Sequence, residues 1–288
     1  MWSSHGRIAR VLTLALALVT VPAVAVAASP AKKAKAAKKV KAGAKKSARS
    51  VGAPNHGRLE GGALLKQSKH VKQREGAHSW ALPQMVKLLR HTAVAVARKH
   101  KSSVMLVGDL SGKTGGHLDG HGSHQSGRDA DVAFYMVNSK GRPIAIKRFV
   151  AFDDAGNARD VPGARFDEAR NWSMVEAFLK ARDAHVRYLF ITNGLKARLL
   201  AYAAKKKVAK DLMERAAAAM MSPADADLHD DHFHVRIACP ESMRGVCIEE
   251  STVRSAPTAP VELKRDAADK PVVEKSAHND PLEAPRQP

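Results

Sequence analysis

The chain has 288 residues, 26% of them charged, a formal net charge of +20 and two cysteines. That length is enough for one sizeable domain with terminal extensions. The charge is uneven: residues 29–50 carry +9, the tail from residue 251 is neutral, and +9 remains on residues 51–250. Composition therefore excludes a chain that is a basic polymer throughout.

In chain order, Arg7 and Arg10 precede an apolar run from Val11 to Val26, and Ala25-Val-Ala27 has the small-x-small pattern of a cleavage site. Residues 1–28 are thus expected to be a secretory signal. Pro22 inside the run and the small residues after it favour cleavage over a retained anchor. No later stretch is apolar for long enough to span a bilayer. Ser29 to Ser50 is low-complexity Lys/Ala sequence that cannot bury a core, and 29–57 reads as a solvated basic linker. Histone-like tails look similar, but an exported chain meets anionic envelope polymers rather than nucleic acid. A spacer that keeps the domain off the membrane is the plainer alternative.

A domain is expected over 58–250. Residues 51–78 carry no clear periodicity. A helix is expected from about Ser79, with Pro83 in its first turn and Met85, Leu88, Leu89, Thr92 and Val96 on one face. Val104–Val107 reads as a short strand, followed by a Gly-rich loop from Ser111 to Gly122. From Asp129 the period becomes two, with Asp129, Asp131 and Ala133 on one side and Ala130, Val132 and Phe134 on the other.

Residues 138–170 are loop-rich. Ser173-x-x-Glu176 reads as a capping box opening a helix to about Ala184. Val186–Thr192 has strand composition, and Asn193-Gly194 is expected to turn into a helix over Leu195–Lys205. A last helix is expected over about Val208–Met221. His232-Phe-His-Val-Arg-Ile237 is a clean strand alternation, His232, His234 and Arg236 against Phe233, Val235 and Ile237. The fold class expected is α+β: one domain, a small antiparallel sheet flanked by helices, and a disordered tail over 251–288.

Two stretches carry chemistry. His121, His124, Asp129 and Asp131 fall within eleven residues, and His229, His232 and His234 follow about a hundred residues on. If the two strands pair, Asp131 and His234 share one face and His124 folds over them, with Gly127 supplying the bend. That gives two imidazoles and one carboxylate with a fourth position open, the pattern of a catalytic rather than a structural zinc site. A surface cluster without purpose does not account for so many donors at such spacing. Non-haem iron sites use a tighter His–acid spacing. Gly108-Asp-Leu-Ser-Gly-Lys-Thr114 is one residue short of a phosphate loop. Cys239 and Cys247 lack metal-ligand spacing, and a disulfide is the default in an oxidising compartment. Arg236 is expected to pair with Asp230 or Asp231.

Ser123-His-Gln-Ser-Gly-Arg-Asp-Ala-Asp131, His229-x-x-His-x-His-Val-Arg236, Cys239-Pro and Cys247 together resemble the penicillin-insensitive murein endopeptidases. These belong to a wider group of lysostaphin-type and D-alanyl-D-alanine metallopeptidases. The resemblance extends to Val104–Leu110 and Tyr188–Asn193 and covers roughly Ser79 to Glu250. It implies a zinc ion held by His124, Asp131 and His234, and hydrolysis of the D-alanyl to meso-diaminopimelyl cross-link of peptidoglycan in the periplasm. The glutamate base of the wider group is missing. Its place falls to His229 or His232, with His229 favoured as base and His232 as support for the tetrahedral intermediate. His121 is assigned to the rim and Asp129 to orienting a ligand imidazole. A D-Ala-D-Ala-type carboxypeptidase and a non-catalytic wall- or polyanion-binding protein are the alternatives.

Overall fold

A computed structural model describes residues 47–222 and 229–249. The expected signal, nearly all of the Lys/Ala arm and the tail over 251–288 lie outside the described residues. No helix among the described residues is long and apolar enough to cross a membrane.

The described residues open with a hairpin, β1 (Arg49–Ala53) and β2 (His56–Glu60). This hairpin begins within the segment 29–57 expected as a linker. Ser50, Ala53 and Leu59 are buried, and Gly52 exchanges hydrogen bonds with Val246 and Ile248. Five-residue strands with so few apolar positions carry too little periodicity to be read locally. Three short strands follow: β3 (Ala63–Leu64), β4 (Val71–Gln73) and β5 (Trp80–Ala81).

Helix α1 (Pro83–Lys99) starts four residues later than expected, because Trp80 pairs with Leu64 and Ser111. Pro83 then takes the first helical position, where a missing N–H costs nothing. Next come β6 (Met105–Val107), β7 (Asp129–Ala133), β8 (Met136–Val137), β9 (Pro143–Ile144) and β10 (Arg165–Phe166).

Helix α2 (Glu168–Lys180) corrects the capping-box expectation. Its cap is Asp167, whose carboxylate accepts the Arg170 N–H at 3.0 Å. Ser173 sits inside the helix instead, donating to the Ala169 carbonyl at 2.8 Å. Strand β11 (Val186–Phe190) leads to α3 (Asn193–Lys205), which includes Asn193 and Gly194 rather than following them as a turn. Gly194 is there for close approach: a Cβ on it would lie 2.1 Å from Asp154. Helix α4 (Lys210–Ala219), β12 (Met220–Met221) and β13 (His232–Ile237) complete the order.

The main sheet has six strands in the order β12-β11-β13-β7-β6-β4. Its four central strands run antiparallel and the two outer pairings are parallel. The fold is α+β. One sheet face carries Ala130, Val132, Phe233, Val235 and Ile237 into a core shared with Met85, Leu89, Trp172 and Phe178 of the helices. Phe134 packs edge-on against Phe233, Phe166 and Phe152. With β7 and β13 anchored from one side, their other face is free for polar residues.

Candidate metal centre

Strands β7 and β13 pair antiparallel with His234 opposite Asp131 and Arg236 opposite Asp129. This register lines up Asp129, Asp131, His232, His234 and Arg236 on the face away from the core. A one-residue slip would send all of them inward. His124 reaches the same place from the loop before β7. Its backbone is left-handed, with φ +68°, an uncommon conformation for a residue with a side chain. Gly127, at φ +74°, lets the loop turn against Leu59; a Cβ there would sit 2.7 Å from the leucine side chain.

Asp131 is the centre of the arrangement. Four imidazole nitrogens face its carboxylate: His124 Nε2 at 3.2 Å, His232 Nε2 at 3.4 Å, His121 Nδ1 at 3.7 Å and His234 Nδ1 at 3.8 Å. Each imidazole is held from behind by a different acceptor. His124 Nδ1 meets the Leu110 carbonyl at 2.6 Å, and His234 Nε2 meets Asp129 Oδ1 at 2.8 Å. His121 Nε2 lies 3.4 Å from Asp109, and His232 Nδ1 is bonded to Asp231. Outer acceptors of this kind fix which nitrogen points inward.

Electrostatics follow from this crowding. Burial opposes ionisation of Asp131, but the charges of His124 and His232 outweigh it and hold the carboxyl well below its usual range. Burial likewise opposes charge on His124, where Asp131 wins and raises it. On His232 the same contest, with Asp231 adding to Asp131, ends at about 10. Burial pushes His234 down. Asp129 is depressed by Arg236 and His234 against the cost of burial. His229 is pushed down to about 3, first by burial and then by the neighbouring His232 and His234.

A metal fits these residues. His124 Nε2 and Asp131 Oδ1 are buried and lack a properly directed hydrogen bond, although they lie close to each other. A buried pair left so is costly, and a cation accepting both lone pairs removes the cost. Donor atoms of His121, His124 and Asp131 lie within 4.8 Å of one another. Two imidazoles and a carboxylate, with a third imidazole adjacent, form a nitrogen and oxygen set of the kind zinc takes.

Sequence reasoning and geometry differ at three points. His121, expected at the rim, has one ring nitrogen turned to Asp131 and is three-quarters buried. Arg236 pairs with Asp129 at 2.6 Å rather than with Asp230 or Asp231; Asp230 faces Arg159 and Asp231 faces His232. The strand alternation already placed Arg236 on the Asp129 face, so the signal was available. Asp109 and Phe149 were missed. Phe149 stacks on His232 with centroids 4.9 Å apart, and nothing in its local sequence marks it.

His229 lies beside His232 and His234, with centroids at 5.4 and 5.6 Å, and its buried Nδ1 has no partner among the described residues. Cys239 and Cys247 form a disulfide. The residues just after Cys247 are tied to the residue ahead of β7: buried Arg128 bonds the Ile248 carbonyl at 2.6 Å and Glu249 at 2.9 Å.

The sequence profile described as penicillin-insensitive murein endopeptidase matches residues 50–287. The protein of that name from Haemophilus influenzae is 31% identical over 148 residues, 47% of this chain and 44% of its own length. The match therefore spans less than half of that relative. Its namesakes from Escherichia coli O139:H28 and Shigella boydii are 24% identical over 198 residues, 67% of this chain and 68% of theirs. On the strength of a profile that takes in all of the described strands and helices but the first residue, the chain belongs to the penicillin-insensitive murein endopeptidase family of metallopeptidases.

Proposed function

We propose that this chain is a zinc-dependent D,D-endopeptidase that hydrolyses D-alanyl–meso-diaminopimelyl cross-links of peptidoglycan. The observation that carries the reading is Asp131 ringed by four imidazole nitrogens, each backed by its own acceptor, on a sheet face turned from the core. His124, Asp131 and His234 would hold the ion, with His121 as a further donor. A bound zinc supplies a Lewis acid for the scissile carbonyl and lowers the pKa of water at the site to around 7.

The rest is done by the chain. His229 lies beside His232 and His234, and its buried Nδ1 has no partner among the described residues, so its lone pair would be available for the proton of the attacking water. It would return that proton to the leaving amine. His232 has Nδ1 tied to Asp231, which directs Nε2 into the site as a donor to the oxyanion that develops on the substrate. Phe149 keeps that ring in plane. We place the protein in the periplasm after removal of residues 1–28, with the Lys-rich arm binding anionic envelope polymers.

The test is a purified muropeptide dimer incubated with the protein, with and without chelator. Conversion to monomers that stops with chelator and returns with zinc is expected. Release of free D-alanine without loss of dimer would make it a carboxypeptidase. A persistent dimer with no zinc by elemental analysis would leave a wall-binding protein.

A further inference from the structure

The turn after β6, Gly108-Asp109-Leu110, supports the site in three ways. Its backbone brackets Asp131, with the Asp131 N–H donating to the Asp109 carbonyl at 3.0 Å and Gly108 N–H to the Asp131 carbonyl at 2.8 Å. The Leu110 carbonyl holds His124. What remains is the Asp109 side chain, 8% exposed and charged. Its Oδ2 lies 3.4 Å from His121 Nε2 and is paired with Arg74. Its Oδ1 accepts the His78 N–H at 2.8 Å and lies 3.1 Å from His78 Nδ1.

His121 needs such a partner more than the other imidazoles do. His232 and His234 are fixed on a strand, and His124 is wholly buried. His121 stands between Gly120 and Gly122, and a Cβ on either glycine would meet nothing within 4 Å. The loop backbone is therefore in open space, and the ring is held by Asp109, Asp131 and its contact with His124 at 4.5 Å.

We infer that Asp109 is a positioning residue: its carboxylate grips His121 Nε2 so that Nδ1 faces Asp131. Arg74 and His78 preorganise that carboxylate from the segment between β4 and β5. A carboxylate behind an imidazole also makes the inward nitrogen a better donor. The inference rests on the metal-site reading above.

The experiment uses the full chain and zinc affinity by competition with a chromogenic chelator. Asp109→Asn is expected to weaken zinc about 10-fold to 100-fold, the range for a lost outer partner. In a His121→Ala background the same change should cost no further affinity, because the partner it acts through is gone. A purely structural Asp109 would instead lower the unfolding midpoint in chelator and leave zinc affinity unmoved. If Asp109→Asn does not fold, nitrogen-15 NMR of the unaltered zinc-loaded chain decides: the His121 proton must sit on Nε2. Unchanged affinity, additive losses or a proton on Nδ1 would each overturn the inference. A wild-type chain that binds zinc yet leaves the muropeptide dimer intact would sink the endopeptidase reading instead and leave this one standing.

Discussion

Asp129→Asn keeps the volume of a fully buried side chain and removes its charge. Its Oδ1 accepts from His234 Nε2 at 2.8 Å and from Arg236 Nε at 2.6 Å. Hydrogen bonds to a charged group contribute about 1.5–3 kcal/mol each. The neutral amide still offers an oxygen to both donors, so roughly half of that contribution is lost. The Arg236 side chain is 15% exposed and recovers little hydration. The expected loss is about 3 kcal/mol, at the lower end of the ~3–5 kcal/mol for stripping one partner from a buried ion pair. At roughly 2–4 °C per kcal/mol for a domain of this size, the midpoint falls by about 6–12 °C. Zinc binding should weaken about 10-fold or more, since His234 loses the anchor that turns Nδ1 inward. Thermal unfolding by circular dichroism in chelator reads the first effect and chelator competition reads the second. An unchanged midpoint would refute the ion-pair argument. A lower midpoint with unchanged zinc affinity would refute the positioning of His234.

Asp131→Ala should abolish muropeptide cleavage, while deletion of residues 29–50 should reduce binding to whole sacculi and spare turnover on soluble dimers; equal losses of turnover would contradict that division. In chelator, stability should peak near pH 6.5. His229, depressed to about 3 by burial and its cationic neighbours, contributes stability that is lost as pH falls below about 6.5, the ordinary histidine value. His232, raised to about 10, contributes stability present below 6.5 and lost as pH rises toward 10. Denaturation across pH checks this: His229→Gln should flatten the acid limb and His232→Gln the alkaline one, and a profile unchanged by either would refute it. Cys239→Ser with Cys247→Ser should cost about 2–3 kcal/mol by loop entropy, seen as a lower midpoint that reductant no longer changes; a midpoint equal to that of the oxidised parent would be the contrary result.

Much of the fold was legible where a strand or helix has one wet side. In β13, the alternation of His232, His234 and Arg236 with Phe233, Val235 and Ile237 is written in the sequence because the core takes every second residue. Pro83 marked a helix start, but the two-residue strand ahead of it had no period to show. Ser173-x-x-Glu176 misled because a capping box is a local pattern, whereas the helix already runs from Glu168, where Asp167 caps it by accepting the Arg170 N–H. Asp109 looked like any acid after a strand. Its four partners, Arg74, His78, His121 and Asp131, are contributed by segments far apart along the chain.

Residue types and spacing alone singled out the two His/Asp stretches as a candidate metal site, and indicated that the flanking apolar residues would anchor them and that the two cysteines would pair. Those are matters of period, donor chemistry and short chain separation. Tertiary structure decided the register that sets His234 opposite Asp131, the pairing of Arg236 with Asp129, and the inward turn of His121. Each depends on which strands lie side by side and which buried charge lacks a partner. The reason is that a buried carboxylate selects its neighbours from the whole fold, at short range and across any separation in sequence.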